Sequence, residues 1–467
     1  MSINRNLYIG KSQDLNLYGI TIDHADGHTF TDMNGKTYLD FTSAASSLPL
    51  GYGRSDLVQA YVRQCEKVPH TCTVYTYTEI VQQYAQRLTA SSKIPGAKLL
   101  FGAFGSDSVD AALKCAQAYT GKSRILAFQK SYHGGTYLSL AANGFEGLKR
   151  NLSLPQCFTH LPYPQQGSSN DVIKMIEKEL QKGNVACLLM ETILGDGGII
   201  EADSEFFQSA KDLLHSHGAI LILDEIQTGI GRTGTFWGFE QFGFTPDLFC
   251  TAKALGGGYV PLSACIGRPE IIDSLQNAQN AFTLSGHAAS CAVGLQLLEA
   301  FQREDILQNV RTVGALLKSM LTQGLRDCPL FQEVRGRGLM LGIVLRSEEP
   351  IGPKIGLLCL ERGVYIGYYG HKNNVLRIHP HLNIDETTAR EAAKNIINAV
   401  RTYSADPLIS REKSFVSLFT RIKLTSAANE CKDLKYCQLC DNIFCRSAYN
   451  TSIITQISLR CIQICVR

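Results

Sequence analysis

The amino-acid sequence predicts an α/β protein with a large domain, whose mostly parallel sheet is flanked by helices, and a small α+β domain. Short apolar runs alternate with amphipathic segments between about residues 98 and 267, as in parallel sheets that are covered on both faces. Hairpin-like segments precede this region, and apolar runs mixed with helical segments follow it. The predicted boundaries are residues 1–50 and 306–404 for the small domain, 51–305 for the large domain and 405–467 for a tail.

The N-terminal region predicts an antiparallel meander. Apolar and polar residues alternate in YGITIDH, HTFTD and TYLDF, with turns at residues 25–27 and at Asn34-Gly35. Asn-Gly between two alternating runs is the strongest short-range signal for a hairpin.

The middle of the chain predicts the large sheet and its helices. The predicted strands are residues 98–102, 124–128, 185–191, 219–225, 247–252 and 261–267, and the predicted helices between them are residues 108–119, 171–180 and 204–218. A long helical stretch around 287–326, three further apolar runs and a final helix at 385–403 predict the small domain.

The composition limits the class of protein. The chain has 467 residues, of which 45% are hydrophobic and 19% are charged, so it can bury a large core and is not intrinsically disordered. A formal net charge of +3 predicts neither a nucleic-acid partner nor an anionic membrane. No apolar run approaches the ~18–20 residues that span a bilayer, and the N-terminus lacks an apolar signal core. We therefore expect a cytoplasmic protein without a membrane partner.

The cysteines divide into two groups. Ten are scattered singly as far as Cys359, as thiols of a cytosolic protein usually are, and six lie between Cys431 and Cys465. The tail that contains these six has no histidine and one Cys-x-x-Cys pair without a matching second pair, which is a weak zinc signal. An extension with free thiols is the favoured alternative, so we predict no metal and assign the tail no function.

Three polar signals follow predicted strands of the large sheet, where ligands bind in α/β proteins. Gly105-Ser106-Asp107 begins a helix whose free N–H groups suit a phosphate, although Ser106 or Asp107 could simply cap that helix. Asp224 ends a strongly apolar strand, where a carboxylate caps the next helix, pairs locally or keeps a cationic ring nitrogen protonated. Lys253 precedes three glycines; it is either a loop cation or a desolvated lysine suited to Schiff-base chemistry.

These signals in this order match the needs of one cofactor. Pyridoxal phosphate requires an anion site, a carboxylate opposite its ring nitrogen and a lysine for its aldehyde. The glycines at residues 256–258 would let such a cofactor approach the backbone.

Residues 18–403 resemble the class III, fold-type I pyridoxal-phosphate aminotransferases. The resemblance rests mainly on DEIQTGIGRTGTFWGFEQFGFTPDLFCTAKALGGGYVPLSACIG at 224–267. It is extended by GSDSVDAALKCAQAYTG (105–121), SYHGGT (131–136), TLSGHAASCA (283–292) and LRIHPHLNI (376–384). It implies the fold of that family and pyridoxal 5'-phosphate as cofactor.

The resemblance also implies roles for residues around the cofactor. Lys253 would form the internal aldimine and move protons between the substrate Cα and the cofactor C4′. Asp224 would keep the ring nitrogen protonated, and Gln227 would contact the side of the ring that carries the hydroxyl. Gly105 and Ser106 would hold the phosphate.

Further implied roles concern the ring face, the partner subunit and the substrate. Tyr132 would stack on the ring with His133 beside it, unless both are ordinary turn residues. Thr283 would reach the phosphate of the neighbouring subunit, which implies a homodimer. Arg377 would bind the substrate α-carboxylate, a bidentate task that suits arginine; a surface cation is the alternative.

The chain departs from the family pattern at three places. Gly135 stands where 4-aminobutyrate and ornithine aminotransferases carry an arginine for a distal carboxylate. In the EPxQGEGG motif, Leu194 replaces the glutamine, and Asp196 is the acidic switch residue, one methylene shorter than glutamate. His287 and Ala288 replace the Asn-Pro of a GNP turn.

The remaining motifs are more similar to the isoleucine 2-epimerase-like subgroup, as in IDHADG, LDFTSAASSL, SYHGGTY, THLPYP and GDGGII. A pocket without a distal cation favours neutral side chains. We therefore predict an aminotransferase that moves an amino group between a neutral or ω-amino acid and a keto acid. A racemase or epimerase of neutral amino acids is the alternative, and retention of Lys253, Asp224 and Gln227 argues against a non-catalytic protein.

Overall fold

The computed structural model describes residues 8–13, 17–165 and 167–405. Residues Ile22–Ser404 form one compact unit, and a short 3-10 helix outside it spans Lys11–Gln13. The cysteine-rich segment 406–467 lies outside the described residues, so its lack of function and of metal stays a prediction, as do the domain boundaries. None of the described helices combines the length and the apolar character that a membrane span requires.

The strands belong to four sheets. In chain order they are β1 (Ile22–Asp26), β2 (Thr29–Asp32), β3 (Thr37–Asp40), β4 (Lys98–Gly102), β5 (Arg124–Phe128), β6 (Phe158–Leu161), β7 (Val185–Glu191), β8 (Ile193–Leu194), β9 (Ile200–Glu201), β10 (Ile220–Asp224), β11 (Leu248–Thr251), β12 (Ser263–Gly267), β13 (Phe331–Arg337), β14 (Met340–Leu345), β15 (Val364–Tyr365), β16 (Gly367–Tyr369) and β17 (Val375–Ile378).

The helices have the following bounds. They span Ser55–Lys67, Glu79–Ser91, Gly105–Thr120, Tyr137–Ala142, Glu146–Lys149, Ser169–Leu180, Ser204–Ser216, Pro269–Ile272, Ala288–Arg303, Ile306–Leu325, Gly352–Glu361 and Glu386–Ala405. Ser43–Ser46 is a separate turn with left-handed backbone.

A seven-stranded sheet in the order β4-β12-β11-β10-β7-β5-β6 forms the centre of the unit. Its pairs are parallel from β11 to β6, whereas β12 is antiparallel to both of its neighbours. Every residue of β7 and β10 is buried, which shows that both faces of the sheet are covered. The mostly parallel sheet predicted from the sequence is therefore present.

One face of this sheet packs on the helix Gly105–Thr120. Val109, Ala112 and Ala116 of the helix share an apolar core with alternate residues of the central strands, such as Cys187 and Ile222. Because this helix follows β4 directly, its packing fixes where its N-terminus meets the carboxyl ends of the parallel strands.

Two further sheets have four strands each, in the orders β1-β2-β3-β15 and β13-β14-β17-β16. Their strands come from the beginning and the last part of the unit's sequence. The hairpin predicted at Asn34-Gly35 joins β2 and β3, and β15 pairs in parallel with β3 from far along the chain. The long helical stretch predicted around 287–326 is two helices, because Asp305 adopts a positive φ of 45° between them. The strands β6 and β13 were not predicted from the sequence.

Candidate active site

The carboxyl ends of the central parallel strands border a cavity of about 460 Å³. Glu191 ends β7, Asp224 ends β10, and Lys253 lies two residues after β11. All three line the cavity, as expected for the ligand-binding edge of an α/β sheet. Like Asp224 and Lys253, six further residues that line it were predicted from the sequence, namely Gly105, Ser106, Tyr132, His133, Asp196 and Gln227.

Lys253 and Arg377 lie on either side of Gln227. With its amide oxygen turned toward them, Gln227 accepts hydrogen bonds from Arg377 Nη2 at 3.2 Å and from Lys253 Nζ at 3.3 Å. Arg377 lies on β17 and is buried, so the surface position considered from the sequence is excluded. Lys253 and Gln227 line the cavity, whereas Arg377 does not and contacts its lining through the hydrogen bond to Gln227.

Burial changes the acidity of both cations. Desolvation lowers the pKa of Lys253, and the nearby Arg377 charge lowers it further, while Asp196 acts in the opposite direction. Desolvation also lowers the pKa of Arg377 to about 10. Lys253 therefore has a larger neutral fraction at physiological pH than an exposed lysine, as a proton acceptor or nucleophile requires.

Asp224 is anchored by His133. Its Oδ2 lies 2.8 Å from His133 Nδ1, and its Oδ1 accepts from the backbone N–H of Ile226 at 3.0 Å. Both side chains are buried, and His133 Nε2 has no hydrogen-bond partner in the described part of the chain. The sequence placed His133 beside the ring with Tyr132; the structure adds this contact with Asp224.

At the start of the helix Gly105–Thr120, one residue caps the helix and a different one is available to a ligand. Asp107 caps it, because its Oδ2 accepts from the N–H groups of Ala103 and Phe104 at 2.9 Å each. Ser106 is not used as a cap; its Oγ accepts from Gly135 N at 3.0 Å and faces the cavity. The helix N-terminus and Ser106 are thus available to an anion.

The glycines after Lys253 have a packing role that the sequence did not suggest. A Cβ at Gly258 would approach three atoms of Leu48, among them its Cα at 2.9 Å, and one at Gly257 would lie 3.1 Å from Leu57. Gly258 lines the cavity, whereas Gly256 and Gly257 do not. Close packing therefore requires glycine here in addition to any approach of a cofactor.

Glu191 is a cavity residue that the sequence analysis did not single out. Its two carboxyl oxygens accept from Tyr132 N at 3.0 Å and from Gly195 N at 2.8 Å. Desolvation and the neighbouring Asp224 raise the pKa of Glu191 to about 8. Its position at the end of a fully apolar strand, like that of Asp224, was the signal that could have identified it.

Asp196 and Thr283 differ from the other predicted site residues. No basic side chain of the described residues lies within 4.0 Å of the Asp196 carboxylate, so this aspartate forms no ion pair with Arg377. Thr283 is exposed and does not line the cavity; its carbonyl lies 2.7 Å from His70 Nε2. Its predicted role across a subunit interface stays a prediction.

These residues fit pyridoxal phosphate. The volume suits a small cofactor with a substrate, Ser106 and the adjacent helix N-terminus suit the phosphate, and Lys253 faces the same space. The buried Asp224 would accept from a protonated ring nitrogen, which the sequence at this position also predicts. His133 Nε2, which has no hydrogen-bond partner among the described residues, is a further polar atom that a bound group could satisfy.

Comparison with known proteins gives relatives with two kinds of activity. A leucine/methionine racemase of Thermococcus litoralis is 32% identical over 79% of this chain and 88% of its own. An isoleucine 2-epimerase of Lentilactobacillus buchneri is 32% identical over 84% and 92%. An acetylornithine aminotransferase of Listeria monocytogenes is 34% identical over 79% and 91%.

Solved structures show the same fold. An ornithine aminotransferase of Toxoplasma gondii superposes with a TM-score of 0.76 at 25% identity, over 82% of this chain and 90% of that one. A transaminase of the marine bacterium Virgibacillus gives a TM-score of 0.80 at 22% identity, over 82% and 93%, which concerns the fold alone.

A family model supplies the assignment. The aminotransferase class-III model matches residues 9–400, and this match confirms the predicted fold class, the pyridoxal phosphate cofactor and the predicted enzyme class, a pyridoxal-phosphate-dependent aminotransferase. The chain belongs to the class-III aminotransferase family.

Proposed function

We propose that this aminotransferase uses α-amino or ω-amino acids that carry one carboxylate and a neutral remainder. The observation that carries this proposal is the pairing of one buried arginine, Arg377, with Lys253 through Gln227. The described residues that line the cavity include one lysine, Lys253, and no arginine; Arg377 contacts this lining through its hydrogen bond to Gln227. A second carboxylate on the substrate would thus be desolvated without a cation.

The residues divide the work as follows. Pyridoxal phosphate, when bound, supplies an aldehyde that captures amino groups and a ring that withdraws electrons from Cα. Arg377 binds the substrate carboxylate, Asp224 holds the ring nitrogen, and Ser106 holds the phosphate. Lys253 Nζ, with its lowered pKa, takes the proton from the substrate Cα.

A gain-of-function variant tests the substrate class. An ideal Cβ at Gly135 meets nothing within 4 Å, so the backbone there has room for a side chain, and Gly135→Arg adds a cation next to Ser106, which lines the cavity. We expect the wild type to prefer neutral donors to glutamate, and G135R to raise kcat/KM for glutamate by about tenfold or more. Gly147→Arg, at another glycine with open space, is the matched control. Preference of the wild type for glutamate would contradict the proposal.

Racemisation is the second candidate function. Asp196 lines the same cavity as Lys253 and is free of any ion pair with the described residues. An acid–base pair from two cavity residues could remove and return a Cα proton. If this function is the true one, Asp196→Asn will abolish formation of the D-amino acid; if transamination is, D196N will leave keto acid release within about tenfold of the wild type.

We also propose a homodimer. Large apolar side chains are exposed on two neighbouring loops, residues 72–77 and 282–286, which are joined by the hydrogen bond from Thr73 Oγ1 to Ser285 O at 2.7 Å. Tyr75 is 83% exposed and Leu284 is 58% exposed, and Thr283 lies between the exposed Phe282 and Leu284. Exposed apolar patches of this kind are typical of protein–protein contacts.

A cytoplasmic location is proposed as well. The cysteines in the described part of the chain are free thiols, which suits a reducing compartment. Fractionation of cells followed by immunoblotting tests the location; the protein in an oxidising compartment would contradict it.

A further inference from the structure

Arg377 is held in place by neutral groups. Its Nε donates to His379 Nδ1 at 3.1 Å, its Nη2 donates to Ser46 Oγ at 2.8 Å, and its guanidinium lies 4.5 Å from the centre of the Tyr369 ring. No carboxylate of the described residues is within ion-pair distance of it. The guanidinium therefore keeps its charge for an incoming anion while its orientation is restrained.

The contact with Arg377 defines the protonation of His379. An arginine Nε–H can only donate, so His379 Nδ1 must accept, and the proton of the neutral ring then lies on Nε2. That buried Nε2 has no partner among the described residues. If residue 379 only filled the core, an apolar side chain would do so without burying an unpaired N–H.

Ser46 reaches Arg377 from a strained turn. Ser43, Ala44, Ala45 and Ser46 all have positive φ, from 42° to 68°, a conformation that is unfavourable for residues other than glycine. Consecutive residues of this kind persist only where the surroundings hold them. Glycines would adopt this backbone without strain, yet the turn has none. Its last residue, Ser46, contacts Arg377, the proposed substrate-binding arginine.

Asp40 holds this turn. Its buried carboxylate accepts from Thr42 N at 2.8 Å, Ser43 N at 3.0 Å and Ala44 N at 3.3 Å. The turn contacts His379 at two points. Ser43 Oγ donates to the His379 carbonyl, and Ser46 Oγ lies 2.9 Å from His379 Nδ1. The turn, His379 and Arg377 thus form one hydrogen-bonded group.

We propose that His379 and Ser46, the latter presented by the left-handed turn Ser43–Ser46, are the positioning residues that orient Arg377 for the substrate carboxylate. This inference rests on the proposed function, since it assumes that Arg377 binds that carboxylate. Neither residue touches the reacting atoms; both act through the guanidinium. The proposal explains why a neutral, partly unsatisfied imidazole and a strained serine are placed beside a buried arginine.

The test measures binding of a non-reacting pair of ligands to the enzyme loaded with pyridoxal phosphate. The carboxylate 3-methylbutanoate and its amide share one apolar group and differ in charge. Isothermal titration calorimetry gives Kd for each. In His379→Phe and Ser46→Ala we expect Kd for the carboxylate to rise about tenfold, and Kd for the amide to change less than about twofold. His379→Asn, which can keep an acceptor near Nδ1, should stay within about threefold of the wild type.

Three controls make each outcome decisive. His24→Phe changes an exposed histidine and should leave both Kd values unchanged. If Arg377→Gln does not weaken the carboxylate, the proposed function is wrong about its binding site. If R377Q weakens it but H379F and S46A do not, or if the amide weakens equally, the positioning inference alone is overturned. Should H379F fail to fold by circular dichroism, S46A against H379N decides the question.

Discussion

Lys253 is the residue on which the proposed chemistry depends most. Its side chain lies beside Gln227 in the cavity, and burial lowers its pKa. We expect Lys253→Ala to reduce turnover by at least about 10³-fold, because no other lysine of the described residues lines the cavity. Cofactor binding should persist in part through Asp224 and Ser106, which absorbance after gel filtration will show. Activity close to the wild type would remove Lys253 from the mechanism.

Glu191 predicts a pH dependence of stability. In the folded protein, burial raises the pKa of Glu191 from the ordinary 4.5 to about 8. Its carboxyl group therefore stays protonated to a higher pH than that of an exposed glutamate. A group whose pKa is raised by folding stabilises the fold below the unfolded pKa, and this contribution is lost as pH rises toward 8. Glutamine cannot ionise, so Glu191→Gln should gain on the wild type between pH 5 and pH 8.5.

The expected gain is at least about 1.4 kcal/mol, the equivalent of one pKa unit. Urea denaturation of both proteins without added cofactor, at the two pH values, measures it. The substitution also removes one oxygen of residue 191 that accepts a hydrogen bond. This cost to the unfolding free energy is the same at both pH values, so it cancels when the two values are subtracted. A difference in unfolding free energy that does not change with pH would show that Glu191 is not held protonated.

At the scale of single residues, several residues that the sequence singled out line one cavity, but the contacts between them were not predicted. Lys253, Asp224 and Gln227 could be placed from a long contiguous motif. The contact between His133 and Asp224 joins residues 91 positions apart, and only the folded sheet brings them together. Glu191 was missed because a carboxylate at the end of a buried strand is common, and its elevated pKa arises from three-dimensional neighbours.

The left-handed turn Ser43–Ser46 is the element whose backbone is least expected from its sequence. Ala45 is exposed with a φ of 58°, so Ala45→Gly removes about 1–2 kcal/mol of backbone strain. Glycine also gives the unfolded chain more conformational freedom, which offsets part of this gain. We expect a net stabilisation of about 0.5–1 kcal/mol, measured by urea denaturation.

Gly51, six residues further along, provides the opposite case. Its φ is 78°, and a Cβ there would lie 2.4 Å from the carbonyl oxygen of Gly27. Gly51→Ala should therefore destabilise the protein by more than about 2 kcal/mol. Destabilisation by A45G, or tolerance of G51A, would contradict the backbone described for this region.

Elements were predictable where periodicity was strong. The central strands are continuous apolar runs, and the predicted bounds of β4, β5 and β7 match the structure. The edge strand β6 has three half-buried residues, including a threonine and a histidine, so it lacked an apolar signal. The break at Asp305 was missed because both flanking helices are amphipathic and nothing but the positive φ separates them.

At the scale of the molecule, the exposed loops 72–77 and 282–286 predict self-association. Replacing Leu284 with glutamate places a charge in this apolar patch, where a dimer contact would have to desolvate it. We expect L284E to sediment as a monomer at a concentration at which the wild type is a dimer. Leu148→Glu, at a 47% exposed leucine on the helix Glu146–Lys149, is the matched control. A wild-type monomer with full activity would refute the dimer.

The class-III family accommodates transamination and racemisation on one fold, as the relatives of this chain show. Membership of the family and the fold therefore do not separate the two activities. The two differ in where the proton is returned and in whether a keto acid leaves the enzyme. The proposed substrate site suits either class of product. The two activities are distinguished by whether one keto acid is released per active site in a single turnover.

A half-reaction tests the proposed aminotransferase activity directly. Enzyme loaded with pyridoxal phosphate is mixed in heavy water with one neutral L-amino acid and no keto acid, and released keto acid and α-deuterium are measured together. We expect one keto acid per active site, after which the reaction stops. Sustained α-deuteration with loss of optical purity, and without stoichiometric keto acid, would contradict the aminotransferase function and establish a racemase.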